Sequence, residues 1–106
     1  MPEFHKRIVP DYLYKEGFNS RHTQTALDDN VVLIVREHIK KHWKRTKKLN
    51  RYHNSFKLAL YISEKLNIEL SNGELIAAAI LEGHGYEQSQ HTAIFFADTD
   101  LQKPKF

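Results

Sequence analysis

The sequence predicts an α+β domain: three helices, a C-terminal β-hairpin after them and an extended N-terminal arm before them. Three observations carry this. Apolar residues recur at helical spacing from Val31 to Leu49; Ser71 to Glu74 form a capping box that opens an almost wholly apolar run; and two short segments beyond Gly83 are divided by polar residues. The 106 residues suit one domain, and six Phe, five Tyr and one Trp supply a core without disulfides, since there is no cysteine. No apolar run nears the ~18 residues of a membrane span, and Met1 to Pro10 lack the apolar stretch of a secretory signal, so a soluble, cytoplasmic chain without membrane contact is expected.

Residues 1–20 read as the arm. Pro2, Pro10 and Gly17 interrupt regular structure, His5 to Val9 can pair as an edge strand, and Phe4, Tyr12, Tyr14 and Phe18 suit docking on a core. The globular part is expected over 21–98. Asp28, Asp29 and Asn30 offer N-caps for a first helix near 30–48. On that helix Val31, Val32, Val35, Ile39, His42, Trp43, Thr46 and Leu49 fall on one arc, and Arg36, Lys40, Lys44, Lys47 and Arg51 on the opposite side. At 1.5 Å per residue it would be a rod roughly 27 Å long.

A polar turn at Asn50 to Asn54 precedes a second helix near 55–67, on which Phe56, Ala59, Leu60, Ile62 and Leu66 keep three- and four-residue spacing. The capping box starts a third helix near 71–82, with Leu70 set to staple onto Leu75. Leu75 to Leu81 are apolar on nearly every side, which implies burial against several neighbours, and Gly83 is placed for a left-handed cap. Tyr86 to Gln88 and Thr92 to Ala97 form the hairpin, and the polar stretch from Asp98 leads into a flexible tail, 99–106.

Charge is the functional signal. Between residues 36 and 51, eight cations (Arg36, Lys40, Lys41, Lys44, Arg45, Lys47, Lys48 and Arg51) face the single acid Glu37, a net +7, while the remaining 8 basic and 12 acidic residues sum to −4. A basic element on an acidic body points to a polyanion or an acidic protein surface. Lys and Arg on successive turns can each reach a phosphate, with Lys41, Arg45 and Lys48 widening the basic side and Asn50, Tyr52, His53 and Asn54 at its end. A solvated, solubilising helix face is the competing reading, and so is an interfacial membrane helix, which the need of Trp43 for the core argues against.

The order of elements resembles the outline of a winged helix-turn-helix domain. In that arrangement the third helix enters the major groove, yet here it offers Asn72, Glu74 and Glu82 and no Lys or Arg, so nucleic-acid contact falls to the first helix.

His38 and His42 stand one turn apart and His84 and His91 flank the hairpin, but Lys40 and Lys41 disfavour a cation beside the first pair, so no metal site or other cofactor is expected. No phosphate loop, nucleophile elbow or paired-carboxylate signature appears, and Asp98 and Asp100 fall where water would screen them. The sequence therefore predicts a non-enzymatic module that binds DNA or RNA, or acts as a regulator, through Arg36, Lys40, Lys41, Lys44, Arg45, Lys47, Lys48 and Arg51. The alternative is an inhibitor or adaptor on an acidic protein surface, and the apolar second and third helices leave room for a homodimer.

Overall fold

The computed structural model describes residues 9–19 and 25–101. In chain order the elements are β1 (Leu13–Tyr14), β2 (Gly17–Phe18), α1 (Asp29–His42), β3 (Lys44–Arg45), α2 (Ser55–Leu66), α3 (Asn72–Leu81), β4 (Tyr86–Ser89), β5 (Thr92–Phe95) and β6 (Ala97–Asp98). The expected three helices and hairpin are present, and the domain is α+β. Among the described residues the strands form three antiparallel pairs: β1 with β2, β3 with β6 and β4 with β5.

Helix α3 is the centre of the packing. The Ser71 hydroxyl accepts the Glu74 amide at 3.2 Å, and the Glu74 carboxylate accepts the Ser71 amide at 3.2 Å, which completes the capping box. Asn72 through Ile80 are buried, with α1, α2, β5 and the β1–β2 hairpin packed around them. The helix ends in a Schellman motif. Gly83, at φ +84°, donates to Ile80 O (2.9 Å), and His84 donates to Ala79 O (3.1 Å).

Helix α1 starts where expected, with the Asp28 carboxylate accepting the Asn30 amide at 2.9 Å. Val32, Val35 and Ile39 turn inward. It stops at His42, however, six residues short of the predicted end at Lys48. Trp43 is extended (φ −98°, ψ 146°), which seats its indole in the core beside Phe95 and His84, with ring centroids 5.5 and 5.4 Å away. Lys44 and Arg45 then pair with Asp98 and Ala97.

Two physical effects shorten the helix. Continuing it would stack like charges one turn apart at Lys40 and Lys44, Lys41 and Arg45, and Lys44 and Lys48, each pair costing about 0.2–0.5 kcal/mol. Pairing with β6 meanwhile supplies the backbone hydrogen bonds that the helix would have made.

The part of the arm within the described residues is more ordered than an extended segment. Leu13 to Phe18 make a tight hairpin turning at Lys15 and Glu16, and Leu13 and Phe18 join the core. The edge strand expected over 5–9 falls, save for Val9, outside the described residues. Gly73, in the first turn of α3, donates to Lys15 O at 2.9 Å, and a Cβ there would overlap the Tyr14 carbonyl oxygen.

The hairpin of β4 and β5 turns through Gln90 and His91, and its alternation buries Ala93 and Phe95. Thr99 to Leu101, assigned from sequence to the tail, are held in place. Asp100 pairs with His38 (2.8 Å) and Lys65 (3.4 Å), and Leu101 packs on the core. The winged-helix likeness is loose: an α3 buried from Asn72 to Ile80 presents no face for a groove.

Candidate functional site

The early stop of α1 redistributes the eight cations. Arg36 donates to Glu82 Oε2 at 2.7 Å. Arg45 reaches over the C-terminal end of α3, donating to Glu82 O at 2.8 Å and Gly83 O at 3.3 Å, where the helix dipole favours positive charge. Arg36 therefore ties the end of α3 to α1, and Arg45 ties it to β3. Lys40 stays on α1 beside Glu37 at 3.7 Å, and Lys41 is exposed one residue further on. The continuous basic ridge predicted over Arg36 to Arg51 is thus divided, because its last five cations, from Lys44 on, lie beyond the end of the helix.

The remaining cations gather elsewhere. Beyond β3 the chain makes a loop whose two ends are tied to the last strands: Thr46 N donates to Phe96 O at 3.2 Å, and Asn50 N donates to Phe95 O at 2.8 Å. The Asn50 side chain locks the return, since its Nδ2 donates to Ala97 O (3.1 Å) and its Oδ1 accepts the Tyr52 amide (3.1 Å). Thr46 Oγ1 donates to Lys48 O at 2.8 Å inside the loop.

This frame encloses a concavity of about 560 Å³ lined by Thr46 through Tyr52 and by Asp98. Lys47, Lys48 and Arg51 are exposed on its wall, and Tyr52 is 50% exposed. Lys44 stands directly across the β3–β6 ladder from Asp98. Among the described residues no ion pair engages Lys41, Lys44, Lys47, Lys48 or Arg51.

Of the polar residues expected at the end of the basic segment, Asn50 is spent on holding the loop. Asn54 caps α2 by accepting the Lys57 amide at 3.0 Å, and His53 is buried. Asp98 is the wall residue that sequence reasoning missed, and no local signal could have revealed it, because the β3–β6 pairing alone brings it there.

His38, His84 and His91 behave as parts of the frame. The rings of His38 and His42 lie 4.5 Å apart, and His38 Nε2 is hydrogen-bonded to Asp100 at 2.8 Å. Burial would push the Asp100 carboxyl up, but the His38 hydrogen bond and charge, with Lys65 adding to them, hold it below the usual aspartate range. Asp100 is therefore a shielded ion-pair partner, contrary to the solvent-screened position expected from sequence. His84 packs against Trp43, and His91 lies in the turn at the other end of the hairpin, bonded to Phe18 O, so these two do not converge. Among the described residues no three His, Cys, Asp or Glu side chains come together as metal ligands, and no helix is long and apolar enough to cross a membrane. No family model, curated protein or solved structure matches this chain, so the site is read from its own residues.

Proposed function

We propose that this chain is a small non-enzymatic nucleic-acid-binding module whose phosphate contacts centre on Lys47, Lys48 and Arg51. Lys44 extends the contact surface along β3, and Lys40 and Lys41 extend it along the last turn of α1. The observation that carries this reading is the gathering of three exposed cations around one concavity, against the single carboxylate of Asp98. Arg36 and Arg45 leave the set of phosphate ligands and become structural residues, because their guanidinium groups are engaged with Glu82 and the end of α3.

Affinity for an oligonucleotide should fall with salt, with a log–log slope of about −3 for about four phosphate contacts. The triple variant Lys47→Glu, Lys48→Glu, Arg51→Glu should lose binding while keeping its fold, and retention equal to the parent on a nucleic-acid column rejects the proposal. An adaptor role on an acidic protein surface draws on Phe56 and Leu60, 55% exposed each and one turn apart on α2. A protein partner retained after nuclease treatment would favour that second reading.

A further inference from the structure

The shape of the basic site bears on which nucleic acid it takes. Duplex DNA is read by a convex element, a helix or ribbon, that enters a groove. The basic helix that would have served stops at His42, and the cations beyond it line a hollow instead. At about 560 Å³ the hollow lies within the ~300–1,000 Å³ range of sites that enclose a small ligand. A base held in a duplex cannot enter such a pocket without being unpaired and unstacked, whereas an unpaired base enters freely. The wall also offers what an unpaired nucleotide needs: cations for its phosphate, and in Tyr52 a half-exposed aromatic ring for its base. The pocket is preorganised, since the carbonyl groups of Phe95, Phe96 and Ala97 hold the loop at both ends.

We infer that the loop from Thr46 to Tyr52 binds single-stranded nucleic acid, seating one unpaired nucleotide with its phosphate among Lys47, Lys48 and Arg51 and its base on Tyr52. This rests on the nucleic-acid reading above and narrows it to a strand class. Tyr52 supplies the preference for single strands and the cations supply the affinity common to both forms.

The test uses the full chain and fluorescein-labelled 12-nucleotide strands of mixed sequence, as DNA, as RNA and as the DNA duplex, followed by anisotropy. The expected result is binding of either single strand at least about 10-fold tighter than the duplex. Tyr52→Ala should weaken the single-strand complexes about 10-fold, the order of one base-on-ring stack, and leave the duplex within about twofold. Tyr52→Phe, which keeps the ring, should stay within about twofold of the parent on every strand. Trp43 is the sole tryptophan, and its unchanged emission in each variant reports an intact core. Duplex binding as tight as single-strand binding, or a Tyr52→Ala variant unaffected on single strands, overturns the inference and leaves the phosphate-binding reading standing. Binding of none of the three forms overturns both.

Discussion

Ser55 Oγ donates to Asn72 Oδ1 at 2.5 Å, with both side chains buried where α2 and α3 begin. The same hydroxyl accepts the Ala93 amide at 2.9 Å, and Asn72 Nδ2 donates to Glu16 O at 3.2 Å and His91 O at 3.0 Å. Two small polar residues thereby join both helices to the turns of both hairpins. The two bonds of Ser55 are buried, where an unmade bond costs most, and the two from Asn72 Nδ2 are part-buried.

Asn72→Ala should accordingly be among the costlier single changes. It removes both donor hydrogens and leaves the Ser55 hydroxyl and two carbonyl groups short of a partner, at about 1–3 kcal/mol for each group that water does not reach. A total near 3 kcal/mol is expected in urea unfolding, with Ser55→Ala costing less because it strands fewer groups. An Asn72→Ala variant within about 0.5 kcal/mol of the parent would refute this account of the cluster.

Gly73→Ala sets helix propensity against packing. An alanine in an exposed helix interior gains about 1 kcal/mol over glycine. Here the new methyl group meets the backbone of Tyr14 and Lys15, which cannot swing away as a side chain would. The variant should be destabilised by about 2 kcal/mol or more. Faster amide exchange at Leu13 to Phe18 would show that the lost contact is the seat of the first hairpin.

Asp100 gives a pH signature. Its folded-state carboxyl titrates below the ordinary value of 3.8, so the ion pair adds stability above that pH and loses it as pH falls through the lower folded value. Asp100→Asn should cost about 1–2 kcal/mol at pH 7, allowing for partial solvent exposure. The difference from the parent should shrink steadily below about pH 4. A constant gap across that range in chemical denaturation would show that the carboxylate charge contributes nothing.

Trp43 Nε1 is buried with no acceptor among the described residues. Trp43→Phe therefore removes an unsatisfied donor, worth about 1–3 kcal/mol, while also losing part of the indole volume. The two effects offset, and the thermal midpoint should move little. Trp43→Ala has no such compensation and should cost about 3–5 kcal/mol.

Much of this molecule was legible in the amino-acid order because short-range chemistry decides it. The Ser71 to Glu74 box, the left-handed Gly83 and the inward phase of Val32, Val35 and Ile39 involve residues within a turn or two of one another, and the β4–β5 hairpin needs only a two-residue turn. The basic character of residues 36–51 was equally plain, along with the cations at issue. Their spatial arrangement was not. Whether Trp43 continues a helix or ends it depends on Phe95, His84 and the Asp98 strand, all distant in the chain, and that choice divides the cations between clamping α3 and lining a pocket. The apolar arc running on to Leu49 fitted a helix as well as it fitted the turn actually made. Local periodicity registers which side chains turn inward, but the strand partner that makes an early helix end favourable is delivered only by the folded chain.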